Sequence, residues 1–444
     1  MTDSSLPKTL DAWLARLEAS HPTGIDLGLD RVSAVARRMG LMDAPIAERV
    51  ITVAGTNGKG STVAMLEAFS MAHGLSVACY TSPHLLRYNE RLRLDGIEAE
   101  DALLMAGFKA VEQARVASPS ISLTYFEVGT LGALWAIAQR RPQMAILEVG
   151  LGGRLDAVNI IDADVAVVTT VAQDHAAFLG TDINVIGREK AGIMRTQRPV
   201  VLGSDSLPPS VAEHARDIGA LVHALGSDFN HDADGAGWKW QGKSASGQHM
   251  VLDALPDPKF PRDNAAAALQ AFALGGVALE ADNCRRALAD VRLNGRMQWR
   301  GQWCLDVGHN PHAASWVAGQ LGASDAHVGR TLCLLGMLGD KDAEGVIDAL
   351  SPAIDAWLPV SLEGERARRA ADLAEYLAER GLEVMHCADD PGSGADWLET
   401  RLEPTDRVLV TGSFLTVSAI LDRWQQASSD DENVSRERDE IRNA

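Results

Sequence analysis

Ile51-Thr-Val-Ala-Gly-Thr-Asn-Gly-Lys-Gly-Ser-Thr62 reads as a buried strand that breaks into glycines and then opens a helix. A chain built this way can hold phosphate. Gly55, Gly58 and Gly60 let the backbone turn its amides toward one point, and a helix starting near Lys59 aims its positive dipole end there. The Lys59 ammonium adds a full charge, and Ser61 or Thr62 can offer a hydroxyl to the magnesium that accompanies a nucleoside triphosphate.

The usual phosphate loop, G-x-x-x-x-G-K-[ST], would place glycine at Val53 and would not insert Gly60 before the hydroxyl. The alternative reading is a glycine-rich turn that merely closes a strand-helix unit. The variant Gly-Thr-Asn-Gly-Lys-Gly-Ser resembles the loop of the Mur ligase superfamily, whose members couple ATP to amide bond formation. That likeness implies ATP contacts along Gly55, Thr56, Asn57, Gly58, Lys59, Gly60, Ser61 and Thr62.

The 444 residues, 46% of them hydrophobic, hold enough apolar material for two or three domains. Met1 to Glu18 show no charged-then-apolar leader and no apolar run reaches membrane-spanning length, so we expect a cytoplasmic protein without membrane association. Five scattered cysteines, never in a C-x-x-C pair, suggest neither a disulfide framework nor a thiolate zinc site. A formal charge of -19 argues against an extended nucleic-acid surface, which needs clustered Lys and Arg. Small-molecule partners and a monomer are expected. The tail from Ser428 to Ala444 is charged and polar, and reads as disordered.

Short amphipathic helices are expected over Leu10 to Leu17 and from the Ile25-to-Val32 stretch to about Met39. From Arg49 onward, apolar runs alternate with helical stretches, placing strands near 49–54, 75–81, 143–149, 164–170 and 198–202. This predicts a P-loop-type α/β domain, a largely parallel sheet with helices on both faces. Residues 226 to 262, with Trp238 and Trp240, suggest a β-hairpin excursion. Asn230 to Gly235 looks briefly like a calcium loop, but has Gln241 in place of the closing glutamate and reads as a solvated turn. An alanine-rich helix follows from Asp263 to near Gly275. After Arg296 the alternation restarts, with strands near 302–306, 331–336, 354–359, 382–387 and 407–411 and helices from Ala370 to Arg380 and Phe414 to Gln425. This is a smaller, Rossmann-like α/β C-terminal domain. The expected division is 1–295, 296–427 and the tail 428–444.

Ligands of such sheets sit beyond the carboxyl ends of the strands. Glu148 lies inside the end of Ala145-Ile-Leu-Glu-Val-Gly150, His175 follows Ala166-Val-Val-Thr-Thr170, and Ser61 follows the first strand. Hydroxyl, carboxylate and imidazole form a donor set compatible with magnesium. Taken singly, Glu148 reads as a capped carboxylate and His175 as a core histidine. Gly187-Arg-Glu-Lys190 begins a helix, on which Lys190 by default is a surface lysine.

Together, Gly55 to Thr62, Ser82-Pro-His84, Leu123-Thr-Tyr-Phe-Glu127, Glu148 to Asp156, Asp174-His175, Gly187 to Gly192, Asp306-Val-Gly-His-Asn-Pro311 and Gly412-Ser413-Phe414 resemble the bacterial bifunctional dihydrofolate synthase/folylpolyglutamate synthase family within the Mur superfamily. The resemblance covers nearly the whole chain. It implies that Ser61, Glu148 and His175 bind two magnesium ions, with Lys190 carbamylated to help hold the second. It further implies catalytic roles for Lys59, His175 and Lys190, and ATP contacts from Asn264, Arg296, Asp306 and His309, with domain closure completing the site. For the pteridine it points to Leu29, Ser82, Pro83, His84, Phe126, Asp156 and Ala157. Ala176-Ala-Phe-Leu-Gly180 departs from the family by lacking the hydroxyl and acidic residues common there. The expected reaction is ATP-dependent addition of L-glutamate to dihydropteroate and reduced folates through an acyl phosphate. The rivals are another amino-acid ligase of the superfamily and a non-catalytic nucleotide-binding regulatory module.

Overall fold

The computed structural model describes residues 6–19, 26–235, 237–323, 327–364 and 366–426. The C-terminal tail read as disordered lies outside them. The chain divides into two compact units, Met1–Arg292 and Leu293–Ala444. Among the described residues, no helix is long and apolar enough to cross a membrane.

The first unit is built on β1 (Arg49–Ala54), β2 (Val77–Tyr80), β3 (Leu92–Leu94), β4 (Ile97–Glu98), β5 (Met144–Glu148), β6 (Val165–Val168), β7 (Pro199–Leu202) and β8 (Leu221–Ala224). Their order in the sheet is β4-β3-β2-β5-β1-β6-β7-β8. All pair in parallel from β2 to β8, while β3 and β4 add an antiparallel edge. β1 lies at the centre because Ile51 and Val53 are fully buried on one face while Val50 and Ala54 are buried on the other. Burial of each of the larger side chains contributes roughly 1.5–3 kcal/mol relative to exposure. Over the first face lie the helices Lys59–Ala72 and Arg262–Leu274. On the second, Val50, Ala145 and Leu147 join a core with the helices Leu10–Glu18, Asp30–Arg38, Asp101–Arg115 and Tyr125–Arg140.

The excursion at 226–262 is a three-stranded antiparallel sheet of β9 (Asn230–Asp234), β10 (Gly237–Lys243) and β11 (His249–Leu255), more than the hairpin expected. Trp238 and Trp240 alternate into its buried face, and Trp240 Nε1 donates to Ala266 O of the alanine-rich helix at 3.2 Å. Asn230, expected in a turn, instead opens β9. The helix carrying Lys190 begins at Ile183, not Gly187, because the Asp182 side chain accepts the amides of Asn184 and Val185. Lys190 therefore sits in its last turn.

The second unit has β12 (Gln298–Arg300), β13 (Trp303–Leu305), β14 (Thr331–Leu335), β15 (Ala356–Pro359) and β16 (Arg407–Thr411), ordered β12-β13-β16-β14-β15. β12 is antiparallel to β13, and the remaining pairs are parallel. Helices cover Ala370–Glu379 and 414–426. The strand expected at 382–387 does not form. That segment touches β15 only through isolated bridges, Trp357 to Val384 and Val360 to Ala388, and its half-exposed side chains do not hold it in a continuous ladder.

Candidate active site

β1 ends at Ala54 and the helix resumes at Lys59, so four residues make the turn between them. Gly58, at φ +83°, occupies a backbone conformation that L side chains avoid, and a Cβ there would lie 2.7 Å from both amide heteroatoms of Asn264. A Cβ on Gly55 would overlap the Thr169 hydroxyl, at 1.8 Å. The loop is moored to the end of β6: Thr56 N donates to Thr170 O at 2.8 Å, Asn57 N to Thr170 Oγ1 at 2.9 Å, and Thr170 Oγ1 to Asn57 O at 3.0 Å. Lys59 Nζ folds back on Gly55 O and Thr56 O at 3.0 and 3.2 Å. Ser61 is buried, and Asn264 Nδ2 donates to its hydroxyl at 3.0 Å. Asn264 thus arrives at the phosphate loop from a helix two hundred residues later in the chain.

Lys190 is buried, not on the surface. Burial, and then the charge of Lys59, pull its ammonium down from 10.5 to about 7, against opposing pulls from Asp174 and Asp156. Lys59, Lys190, Asp156 and Asp174 therefore share one electrostatic neighbourhood. Two close approaches place Lys190 there: a Cβ on Gly153 would meet Lys190 O at 2.9 Å, and one on Gly192 would meet Arg154 Cβ at 2.4 Å. Arg154 N donates to Glu189 O at 2.8 Å. The Leu151-Gly-Gly-Arg154 loop thereby sits directly on the helix end. Glu148, buried at the end of β5, accepts Ser82 N at 3.2 Å. His175 takes a positive φ of 52° and caps the short helix Ala176–Leu179, with its Nε2 3.9 Å from Asp174 Oδ2.

The residues expected around a pteridine fall in the first unit. Leu29 and Phe126 pack against the same core. A Cβ on Gly150 would meet Phe126 Cζ at 2.5 Å and Asp156 Oδ2 at 3.3 Å, so ring and carboxylate flank the same bare backbone. Asp156 accepts Leu151 N at 2.8 Å and Val158 N at 3.0 Å and caps the turn Ala157–Ile160. Burial nevertheless raises its carboxyl from 3.8 to about 6. The Ser82–Pro83 bond is cis. The loop beyond it is organised by Glu90, whose carboxylate accepts the amides of Leu85, Leu86 and Arg87, each at 2.7 Å. Arg91 Nε donates to His84 Nδ1 at 2.9 Å. Burial and the Arg91 charge lower His84 to about 4, leaving a neutral ring whose Nδ1 accepts.

Within the second unit, Asp306 is buried and raised by that burial, against the charge of Arg296 and hydrogen bonds from Gly308 N and Met297 N at 2.8 and 3.0 Å. His309 Nδ1 donates to Val307 O at 2.9 Å. The Arg296 guanidinium lies 5.6 Å from the Phe414 ring centre, and the His309 ring 6.2 Å from it. These residues cluster around Phe414.

Among the described residues, no three His, Cys, Asp or Glu side chains converge as a metal cluster. The expected donors contain only one carboxylate and one imidazole, and an unmodified lysine and a serine complete them. The hard-oxygen donors Ser61 and Glu148, each placed by a strand end, fit a divalent cation beside a triphosphate. Sequence reasoning gave no role to Thr169 and Thr170, which fasten the glycine loop, to Asp174, whose charge acts on Lys190, or to Tyr125, and it placed Arg91 only at the end of a loop, Ser82 to Arg91, expected to help close the pteridine pocket. The two threonines had a visible signal, a pair of hydroxyls just past an apolar strand. Tyr125 had none beyond its place in Leu123-Thr-Tyr-Phe-Glu127.

A phosphate turn at the carboxyl ends of a parallel sheet, followed in the chain by a second α/β unit, fits an ATP-dependent ligase of the Mur type. The family model for the Mur ligase middle domain matches residues 53–254, and that for the Mur ligase glutamate ligase domain matches 295–414. Over 416 residues, 93% of this chain and 95% of its counterpart, the sequence is 42% identical to the dihydrofolate synthase/folylpolyglutamate synthase of Escherichia coli K12. The structure is similar to Escherichia coli FolC in complex with DHPP and ADP, with a TM-score of 0.89 at 42% identity, covering 95% of this chain and 99% of that one. It is also similar to the Yersinia pestis bifunctional enzyme complexed with AMPPNP and Mn ion, with a TM-score of 0.87 at 40% identity, covering 95% of this chain and all (100%) of that one. The chain belongs to the dihydrofolate synthase/folylpolyglutamate synthase family of Mur ligases and is an ATP-dependent carbon–nitrogen ligase.

Proposed function

We infer that the protein joins L-glutamate to dihydropteroate, and to reduced folates, at the expense of MgATP. The observation that carries this reading is the shared neighbourhood of Lys59, Lys190 and Asp156 at the ends of β1 and β5, with Phe126 against Gly150 next to it. It suits a nucleotide and a planar heterocycle side by side. The complexes of the two similar solved structures, with DHPP and ADP and with AMPPNP and Mn ion, point the same way.

In this reading Gly55 to Thr62 cradle the triphosphate, with Asn264 bracing Ser61 and Gly58 and with Arg296, Asp306 and His309 assigned to the nucleotide. Ser61, Glu148, His175 and Lys190 would hold two divalent ions, whose chemistry there would be to neutralise charge on the triphosphate. The neutral fraction of the Lys190 amine adds carbon dioxide: a nitrogen–carbon bond forms, a proton leaves, and a buried cation becomes an anion fit to face a metal. Lys59 releases the loop carbonyls and turns its ammonium to the γ-phosphate, where the pteroate carboxylate oxygen attacks phosphorus and ADP leaves. The glutamate amine then attacks the acyl carbon, phosphate departs, and the amine proton is lost to solvent. The chain's residues position and neutralise, and no protein nucleophile takes part. Leu29, Ser82, Pro83, His84, Phe126, Asp156 and Ala157 form the pteridine pocket. We assign ATP and pteroate binding to residues 1–295 and the C-terminal ligase domain to 296–427, in a cytoplasmic monomer with small-molecule partners.

The test is phosphate release from MgATP and glutamate, measured with dihydropteroate and separately with tetrahydrofolate. Stimulation by either supports the reading, and silence with both refutes it.

A further inference from the structure

Arg91 is placed in a way that the scheme above does not use. Its guanidinium carbon lies 5.1 Å from the Tyr88 ring centre and 5.6 Å from that of Tyr125, and its Nε is committed to His84 Nδ1. Tyr88 is buried, fixed edge-on against Tyr125 and Phe108 at 6.0 and 5.6 Å. The cation is therefore held still by aromatic faces. Among the described residues, no carboxylate lies within ion-pairing distance of Arg91, and its terminal Nη groups make no hydrogen bond. That is an unusual state for a half-buried arginine.

Glu18 acts on Tyr125 but makes no ion pair with Arg91, and three further carboxylates are engaged elsewhere. Its chain neighbour Glu90 is spent on three backbone amides. Asp156 holds Leu151 N and Val158 N, and Glu127 holds Arg31 and Thr124 N. A fork of N–H donors, stiffened on one side and unpaired on the other, matches the two oxygens of a carboxylate.

The position fits the same ligand. Tyr125 precedes Phe126 in the chain, Tyr80 lies 6.5 Å from the Phe126 ring, and Tyr80 feels the charges of both Arg91 and Asp156. We propose that Arg91 is a carboxylate receptor for the pteroyl substrate, a specificity residue beside the pteridine pocket that reads either the benzoate carboxylate or the α-carboxylate of a glutamate already attached. This rests on the substrate reading given above.

The experiment is calorimetric titration of the full chain and its Arg91→Gln and Arg91→Lys variants with dihydropteroate, tetrahydrofolate, the carboxylate-free 6-hydroxymethyl-dihydropterin, and MgATP. Arg91→Gln should weaken a carboxylate-bearing ligand by about tenfold or more while leaving the carboxylate-free pterin and MgATP within about twofold, and Arg91→Lys should recover part of the loss. A loss confined to tetrahydrofolate assigns the α-carboxylate, and a loss on both assigns the benzoate. Equal weakening of the carboxylate-free pterin, or unchanged affinity for both carboxylate ligands, overturns the proposal. Retained binding of the carboxylate-free pterin also shows that the variant has folded. If the wild-type chain binds neither dihydropteroate nor tetrahydrofolate, the substrate reading itself fails.

Discussion

Lys190→Met should make the protein more stable and inactive at once. The Lys190 side chain is almost wholly buried and its ammonium is lowered from 10.5 to about 7, first by burial and then by Lys59. The unfolded chain binds that proton up to pH 10.5, while the folded chain has released it above about 7. Below pH 7 both states are protonated and the folded state bears the full cost. As the pH rises from 7 toward 10.5 the unfolded state holds more protons, so stability climbs, and the cost is gone above 10.5. The gap corresponds to on the order of 5 kcal/mol. Methionine has similar volume and no charge to desolvate. In buffer stripped of carbon dioxide, urea unfolding of the first unit should show Lys190→Met gaining several kcal/mol at pH 6.5, with the gain shrinking to a packing difference near pH 10.5. Phosphate release should be absent throughout. A stability gain that does not change between the two pH values would show that the cost is not that of a buried ammonium.

Gly58→Ala puts a side chain at φ +83° and drives Asn264 off the Ser61 hydroxyl, at about 1 kcal/mol for each effect. MgATP affinity measured by calorimetry should fall at least tenfold, and an unchanged affinity would mean that the turn is not the phosphate cradle. Lys59→Ala should abolish ADP formation with circular dichroism unchanged, and should let the Lys190 ammonium rise, because Lys59 is the second largest cause of its lowering. Near-normal turnover would remove Lys59 from the mechanism. Glu90→Ala leaves three amides of the Ser82-to-Arg91 loop without their acceptor, each worth roughly 1.5–3 kcal/mol when bonded to a charged group. Hydrogen exchange at Leu85, Leu86 and Arg87 should accelerate and the KM for dihydropteroate should rise while that for MgATP holds; persistent protection of those amides would show that other contacts shape the loop.

The central sheet was legible because buried parallel strands announce themselves as continuous apolar runs: β1 has the bounds expected, and β5, β6 and β7 fall inside theirs. The antiparallel edge was missed although Asp95-Gly96, at φ 51° and 80°, is a two-residue hairpin turn joining β3 to β4; strands of two and three residues are too short for periodicity to register. The N-cap Asp182 was likewise visible, whereas the failure of 382–387 to become a strand was not, since its apolar residues carry no sign of being left half-exposed at an edge. In the site, glycine, lysine and hydroxyl could be read from spacing. The burial of Lys190 could not, because it depends on Gly153 and Gly192 allowing two distant segments to touch.

Asp156 and Lys190 make a further point about that limit. Burial moves the carboxyl up to about 6 and the ammonium down to about 7, each toward its neutral form, although Asp156 favours the charge on Lys190 and Lys59 favours the charge on Asp156. In a purely structural core, a lysine costing this much would be replaced by an apolar residue or paired closely with a carboxylate. Asp156 instead spends its oxygens on backbone amides, and the charges that act most strongly on Lys190 include the like charge of Lys59. Such an arrangement is stable only because the rest of the sheet holds it, and it is most favourable when ligand charge arrives to neutralise Lys59. It follows that saturating nucleotide should raise the unfolding midpoint of the wild-type chain more steeply than that of Lys190→Met at low pH. Wild type has an unmet electrostatic demand there and the variant has none, so equal increments in the two proteins would contradict this account.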